Sequence, residues 1–346
     1  MDKNNLPCFY IILISLVYLI ILYYAANNRN KKVWTIPKSE IIQTYLNNND
    51  SREIYNISFV KHNNKLKLIA RSEIKNMIYG LASLDNEIIT GEVTDLTQIN
   101  SVNWKSVKFN ISDYSHNEDS RLFVINNRLF SINTNKKLIY NNSFIKWLYK
   151  NKFCLASWTD TKICIAEHDE EMNVINFKRF QEFDGVQKNW SLFSSDGIDY
   201  LVTDFFPFTY YKIDINTFEI SNKTIINHTN KYNDKINFRA CRIFETKNNK
   251  HKCICNLLIG NRLYCFQFFE IDLTNKTINP LSDLFSYHDS DDILNNYKKF
   301  SYPHHINYID NDLILSLSKD DRYNIFYKIY VDNFHNDRKK YIESKE

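Results

Sequence analysis

The sequence contains few of the two residues that most often shape turns. Glycine and proline occur five times each in 346 residues, whereas asparagine is frequent throughout the chain. Asparagine and aspartate tolerate the left-handed backbone region, so we expect them to occupy many turns where glycine usually stands.

The chain also lacks a large excess of either charge. It has 44 Lys and Arg against 40 Asp and Glu, which gives a formal net charge of +4. Its pI is near 8.4. Domains that bind nucleic acid or an anionic membrane surface carry a stronger basic bias. We therefore expect no nucleic-acid partner.

Helical periodicity is nearly absent. Short segments alternate apolar and polar residues and are separated by turns rich in Asn, Asp and Lys, as in Leu122–Asn126 and Arg128–Asn133. This pattern predicts strands, and without βαβ alternation it predicts an all-β sandwich, barrel or propeller. Short helices are predicted only around Ser39–Asn47 and Asp292–Phe300.

The cysteine spacing does not predict a metal site. Cys253-Ile254-Cys255 has no second pair of Cys or His at the spacing of a zinc site, and we expect neither a metal nor another cofactor. Two interpretations of the other cysteines remain open. Cys154 and Cys164 flank a predicted hairpin turn at Thr159–Thr161 and are candidates for a disulfide, or the cysteines are small buried apolar residues on strands.

One long uncharged run lies near the N-terminus. The 19 residues from Cys8 to Ala26 are rich in Ile, Leu and Tyr, enough for a helix across a hydrocarbon core of about 30 Å. A cleaved signal peptide is the alternative, but Tyr23 or Tyr24 would fit poorly at the −3 position of a cleavage site. We therefore favour an uncleaved membrane anchor.

Two signals disagree on the orientation of this anchor. Arg29, Lys31 and Lys32 follow the apolar run and only Lys3 precedes it, which places the large domain in the cytosol. Eight N-glycosylation sequons indicate the opposite side. They begin at Asn49, Asn56, Asn110, Asn141, Asn189, Asn222, Asn227 and Asn275.

Five short motifs follow one another in a fixed order. They are Asn56-Ile57-Ser58, a strand that ends at Arg71, Glu118-Asp119-Ser120-Arg121, Lys188-Asn189-Trp190, and Ser316-Leu317-Ser318-Lys319-Asp320-Asp321. In this order they resemble motifs of the five-bladed β-propellers of mannoside phosphorylases and β-mannosyltransferases. Ile57 and Ser120 stand where that family has proline, and Ser318 stands where it has glycine.

The resemblance spans about residues 50–335 and implies the organisation of the chain. We predict an N-terminal membrane anchor or signal peptide over residues 1–26, a stem over 27–50, a five-bladed β-propeller over 51–336 and a charged tail over 337–346. Glycan-processing enzymes of this layout work in the lumen or outside the cell, and the resemblance therefore favours a lumenal or extracellular domain.

The resemblance also implies a site. Asp119 matches the general acid of the family and is the predicted catalytic residue. The cations Arg71, Arg121 and Lys188 are predicted to bind phosphate or a sugar-phosphate donor. In a propeller of this family the substrate binds at the central channel, where Asn56, Asn189 and Asp321 are the predicted substrate-binding residues.

The predicted function is that of a glycosyltransferase or phosphorylase on β-mannosides or similar sugars, with one carboxylate as acid and base. Related hydrolases have an Asp where this chain has Asn56, so simple hydrolysis is disfavoured unless Glu73 or Asp321 acts as the base. The alternative is a non-catalytic propeller that binds a glycan or a protein. It is favoured by the absence of the family's fourth-blade His near Cys255-Asn256.

Several neighbouring residues have two possible roles. Trp190 and Tyr302 either stack on a sugar or belong to the core. Adjacent strand residues point to opposite faces, so at most one of His304 and His305 is expected to enter the channel. Asn56 and Asn189 either line the channel or carry a glycan, because a channel-lining amide is out of reach of glycosylation.

Overall fold

The computed structural model describes most of the chain. The described residues are 39–45, 52–74, 86–107, 109, 116–139, 157–183, 189–227, 236–259, 263–282, 284–285, 301–319 and 323–330. Within these ranges the chain forms twenty strands and one short 3-10 helix, Leu96–Ser101, whose first turn is capped by the side chain of Asp95.

The twenty strands form five antiparallel sheets of four strands each, which are the blades of a β-propeller. Four of the sheets are meanders whose first strand is innermost, and the fifth combines a three-strand meander with an outermost strand from the other end of the chain. From the innermost strand outwards, blade 1 contains β2 (Arg52–His62), β3 (Lys65–Ile74), β4 (Asn86–Val93) and β5 (Lys105–Ser106). Blade 2 contains β6 (His116–Ile125), β7 (Arg128–Ile139), β8 (Ser157–His168) and β9 (Val174–Arg179). Blade 3 contains β10 (Ser191–Ser195), β11 (Ile198–Phe205), β12 (Phe208–Asp214) and β13 (Glu219–Ile226). Blade 4 contains β14 (Ile236–Lys247), β15 (Lys250–Ile259), β16 (Leu263–Asp272) and β17 (Thr277–Pro280). Blade 5 contains β18 (Ser301–Ile309), β19 (Asp312–Lys319), β20 (Tyr323–Ile329) and β1 (Ser39–Tyr45). The predicted five-bladed all-β fold is confirmed.

The N-terminal strand closes the ring. β1 pairs antiparallel with β20 and becomes the outermost strand of blade 5, so the two ends of the propeller are joined by hydrogen bonds. The short helix predicted at Ser39–Asn47 was therefore wrong. Ile41, Ile42, Thr44 and Tyr45 are β-branched or aromatic and fit a pleated sheet, and the propeller includes part of the segment assigned to the stem.

Apolar side chains fill each interface between consecutive blades. Five clusters of buried residues are present, and each draws on two neighbouring blades. The cluster between blades 5 and 1, for example, contains Phe326 from β20 and Phe59 from β2. Burying each large side chain of this kind contributes about 1.5–3 kcal/mol. The high aromatic content thus supplies the packing between sheets.

Asparagine and aspartate occupy most positions in the turns of the innermost hairpins. In every blade a two-residue turn joins the first strand to the second, and the turns are Asn63-Asn64, Asn126-Asn127, Asp196-Gly197, Asn248-Asn249 and Asp310-Asn311. The first residue of each turn has φ between 48° and 54°. Two-residue hairpins favour such left-handed residues because their twist matches that of the strands. The expected substitution of Asn and Asp for glycine is confirmed.

The predicted turn in blade 2 is absent. β8 runs without interruption from Ser157 to His168, and the extra residue Thr159 forms a bulge opposite Lys137 and Leu138. A bulge and a turn look alike in sequence, since both interrupt the alternation of side chains. Cys164 is a buried free thiol, which agrees with the apolar interpretation of the cysteines; Cys154 lies outside the described residues.

The predicted membrane anchor lies outside the described residues. Among the residues that the structure describes, no helix is both long and apolar enough to cross a bilayer.

Candidate functional site

Three predicted site residues occupy equivalent positions in three successive blades. Asn56, Asp119 and Asn189 have φ of 54°, 52° and 65°. Each stands seven residues before the first residue of the inner hairpin turn of its own blade. Asn56 and Asp119 lie at β-bulges, each of which inserts one extra residue into the innermost strand. Left-handed backbone at three matching positions is a strain that the surrounding sheets must hold in place.

The carboxylate of Asp119 is held by two neighbours. Asn56 Nδ2 donates a hydrogen bond to Asp119 Oδ1 at 2.9 Å, and Arg71 Nη1 lies 4.0 Å from the same oxygen. The side chain of Asp119 is 15% exposed and that of Arg71 14%. The two side chains are therefore partly accessible to solvent.

Arg71 is surrounded by carboxylates. Its Nη2 is 3.1 Å from Glu118 Oε1 and also forms an ion pair with Glu73. Burial alone would lower the pKa of Arg71, but the charges of Glu118, Glu73 and Asp119 outweigh this effect and raise the pKa. Glu118 was not predicted as a site residue, and Glu73 was considered only as an alternative base for hydrolysis. Glu73 stands two residues after Arg71 on β3, and strand periodicity would have placed the two on one face.

Arg121 belongs to a second group of polar residues. Its Nη2 donates to Asn189 Oδ1 and to the hydroxyl of Tyr302, both at 3.0 Å, and the same hydroxyl donates to Asn189 Oδ1 at 3.0 Å. Arg121 is only 1% exposed. Arg121, Asn189 and Tyr302 thus form a triangle of hydrogen bonds, here called the Arg121 triangle, which links blades 2, 3 and 5. Tyr302 contributes its hydroxyl to it.

A third set of side chains connects the innermost strands. Arg242 of β14 donates through Nη2 to the carbonyl of Leu122 at 2.8 Å and to His305 Nε2 at 3.4 Å. Since a guanidinium group only donates, the hydrogen of His305 is on Nδ1, which donates to Ser58 Oγ at 2.7 Å. These buried contacts join blades 1, 2, 4 and 5. Burial and the charge of Arg121 lower the pKa of Arg242.

Both histidines of the pair reach other blades. His304 Nε2 lies 2.9 Å from the carbonyl oxygen of Ser120 on β6, while His305 contacts β2 and β14. The alternation of side chains on which the expectation for this pair rested does not hold here, because a bulge between Pro303 and His305 interrupts the strand. Burial and the charge of Arg121 lower the pKa of His304 to about 4, although Asp119 acts in the opposite direction.

The remaining predicted residues separate into two groups. Lys188 and Asp321 lie outside the described residues. Trp190 is fully buried and packs edge-on against Phe180 and Phe183, with ring centroids 5.5 and 4.7 Å away. Trp190 is thus a core residue between blades 2 and 3 and is unable to stack on a sugar in this conformation.

The sequons at Asn56 and Asn189 belong to this hydrogen-bonded site. Asn56 is 4% exposed and its amide contacts Asp119, while the amide of Asn189 accepts from Arg121. The amides of both residues thus form hydrogen bonds with charged side chains of the neighbouring blade.

A cavity of about 390 Å³ lies away from these residues. Asn63, Lys67, Glu92 and Glu170 are among the residues that line it, at the end of blade 1 opposite Asn56. Lys67 Nζ is 2.7 Å from Glu92 Oε2 and also donates to the carbonyl of Glu170. Lys67, the buried cation of this cavity, is thus already bound by protein groups, and we take the Asp119 cluster as the candidate site.

Comparisons with known proteins identify the fold. No protein-family model and no curated protein matches the sequence. A hypothetical protein from Leishmania major has a TM-score of 0.52 and 14% identity, and the match covers 88% of this chain and 93% of that one. Two α-L-arabinofuranosidases, from Lactobacillus brevis and Podospora anserina, each have a TM-score of 0.53. Their identities are 9% and 8%, and the matches cover 82% and 85% of this chain and 92% and 98% of theirs. At these identities the similarity shows the propeller fold alone.

Proposed function

We propose that this chain is a glycan-active enzyme in which Asp119 is the catalytic acid and base. The observation that carries the proposal is the placement of Asp119. It is a carboxylate at a strained left-handed position, partly exposed, oriented by Asn56 and set beside Arg71. Strain that is maintained in a packed sheet is found most often at functional sites. The known proteins with the same fold include arabinofuranosidases and a β-xylosidase, which also favours a glycan substrate.

The reaction we propose is transfer of a glycosyl group, as a glycosyltransferase or phosphorylase on β-mannosides or similar sugars. Asp119 would donate a proton to the glycosidic oxygen or accept one from the attacking hydroxyl. Arg71 is the predicted cation at the partly exposed part of the site, where it would contact a phosphate group together with Lys188. Arg121 is buried, and we assign it to positioning Asn189 and Tyr302 instead.

One observation favours a second candidate, hydrolysis. Glu73 and Asp119 both contact Arg71, which places two carboxylates around one cation. A hydrolase needs such a pair, one as acid and one as base or nucleophile. A bound phosphate, in contrast, would have to compete with Glu73 and Glu118 for Arg71. The two reactions differ in their products, since hydrolysis releases free sugar and phosphorolysis a sugar phosphate.

The experiment compares the purified protein with Asp119→Asn and a matched control, Asp310→Asn. Both aspartates have positive φ, but Asp119 lies at a bulge within β6, whereas Asp310 is an exposed turn residue that follows β18 and pairs with Lys61. β-Mannosides with inorganic phosphate, sugar 1-phosphates and nucleotide sugars with oligosaccharide acceptors are offered. We expect turnover to fall by about 10²–10⁴-fold in Asp119→Asn and to remain unchanged in Asp310→Asn.

The products of the same assay decide between the candidates. Nucleotide released from a nucleotide sugar identifies a transferase. Sugar phosphate formed from a β-mannoside, or phosphate released from a sugar 1-phosphate with extension of the acceptor, identifies a phosphorylase. Free sugar identifies hydrolysis, for which Glu73 is the candidate second carboxylate. Folded protein that turns over none of these substrates, or turnover that survives Asp119→Asn, contradicts the enzymatic proposal. Glycan or protein binding without turnover would then support the non-catalytic propeller.

A further inference from the structure

Three buried cysteines of blade 4 converge at a point outside the candidate site. Cys253 and Cys255 are two residues apart on β15 and therefore point to the same face of the sheet. Cys241 on β14 is the direct cross-strand partner of Cys255 and shares that face. The three Sγ atoms all lie within 4.8 Å of one another, and the residues are 3%, 0% and 0% exposed.

The spacing of the sulfurs matches a metal complex. The distance from Cys253 Sγ to Cys255 Sγ is 4.0 Å. Metal–thiolate bonds are about 2.3 Å long, and three sulfurs arranged as a planar triangle around one ion are then about 4.0 Å apart. A disulfide, with sulfurs about 2.05 Å apart, would need a much larger rearrangement of the same side chains.

The charges around the three thiols favour an anionic complex. Arg242 and Arg121 both act electrostatically on Cys241. The hydrogen bonds of Arg242 go to two backbone carbonyls and an imidazole, and those of Arg121 to an amide and a phenol, all of which are neutral. Further N–H atoms of both guanidinium groups have no hydrogen-bond partner among the described residues. Buried charge of this kind is costly unless an opposite charge compensates it.

We propose that Cys241, Cys253 and Cys255 form a three-thiolate site for a soft monovalent metal ion of the Cu(I) class. Thiolates select Cu(I), zinc and iron–sulfur clusters. Structural zinc sites are almost always four-coordinate, whereas three sulfurs suffice for Cu(I). Three thiolates around one monovalent ion leave two negative charges, which Arg242 and Arg121 balance. The site would tie the two innermost strands of blade 4 together and neutralise both arginines.

The test measures copper binding by the full chain in two ways. The protein is produced in copper-supplemented cells and purified without oxygen for elemental analysis, and metal-free protein is titrated with Cu(I) against a colorimetric Cu(I) chelator. We expect one copper per chain by both routes, together with thiolate-to-copper charge-transfer absorption. X-ray absorption spectroscopy of the wild-type protein should show three sulfur ligands at about 2.3 Å.

Variants localise the ion. Cys253→Ala and Cys255→Ala should lose the stoichiometric copper, whereas Cys164→Ala, which removes a buried free thiol of blade 2, should retain it. Circular dichroism verifies that each variant is folded. Absence of copper from wild-type protein by both routes overturns the proposal, as does a sphere of nitrogen or oxygen ligands. The spectroscopic result needs no variant, so the proposal remains testable if the cysteine variants fail to fold.

Discussion

Removing the Tyr302 hydroxyl tests whether the Arg121 triangle, formed by Arg121, Asn189 and Tyr302, stabilises the contact between three blades. The Tyr302 hydroxyl accepts from Arg121 and donates to Asn189, both at 3.0 Å. In Tyr302→Phe the ring remains but both hydrogen bonds are lost. A hydrogen bond to a charged group contributes about 1.5–3 kcal/mol and a neutral one about 0.5–1.5 kcal/mol. We therefore expect the free energy of unfolding to fall by about 2–4 kcal/mol.

Tyr330→Phe is the matched control. The Tyr330 hydroxyl donates to Glu40 Oε2 at 2.9 Å between blade 5 and its closing strand, but that pair is exposed to solvent. Water replaces such an exposed bond, so the control should lose little stability. Urea unfolding followed by tryptophan fluorescence gives both values, provided that the m-value is unchanged. Equal shifts of the two midpoints would refute the reasoning, because burial would then have made no difference.

A double-mutant cycle extends this test to Asn189. Asn189→Gly removes the amide without adding strain, because glycine tolerates the φ of 65°. If the three groups form one network, the double variant should be less destabilised than the sum of the single variants, by at least about 0.5 kcal/mol. Strictly additive effects would show that Tyr302 and Asn189 act independently.

Substitutions at three other positions test the core, the titration of a buried histidine and the turns. Trp190→Ala should destabilise the protein by about 3–5 kcal/mol in urea unfolding, and an unchanged unfolding midpoint would contradict the assignment of Trp190 to the core. Burial lowers the pKa of His168 to about 4, so its contribution to stability is complete above its ordinary pKa of 6.5 and is lost as the pH falls towards 4. Between pH 4 and 6.5, the slope of unfolding free energy against pH should be smaller in His168→Gln than in the wild-type protein, by up to about 1.4 kcal/mol per pH unit; an identical slope in the variant contradicts this assignment. Asn64→Ala should cost about 1 kcal/mol at its φ of 60°, while Asn64→Gly should not, and equal unfolding midpoints for the two variants would argue against left-handed strain in the turn.

Part of the internal repeat is present in the sequence as a fixed spacing. Asn56, Asp119 and Asn189 each precede a two-residue Asn or Asp turn by the same seven residues. Overall self-similarity between blades is otherwise undetectable, because sheet packing requires only apolar residues of suitable volume at alternating positions. In this chain, the spacing between a left-handed residue and the following turn is therefore a more useful indicator of the repeated blades than residue identity.

Other features were beyond the reach of local patterns. The interruption at Thr159 looked like a turn and is a bulge, and Ser39–Tyr45 looked helical but is the strand that closes the ring. Whether a segment is an edge strand or a helix depends on the partner it meets, and the partner of β1 is at the other end of the chain. Trp190 likewise required the packing of blades 2 and 3 to be identified as core.

The sequence by itself determined the all-β architecture, the use of Asn and Asp at turns, and the identity of Asp119, Asn56 and Arg71 as candidates. These depend on side-chain alternation, on backbone preferences of single residues and on short motifs, all of which are local. Only the tertiary structure decided that Glu73 and Glu118 surround Arg71, that Arg121 is buried, and that Cys241 joins Cys253 and Cys255. Such contacts depend on strand register and on the closing of five sheets into a ring, which are set by packing between residues far apart in the chain.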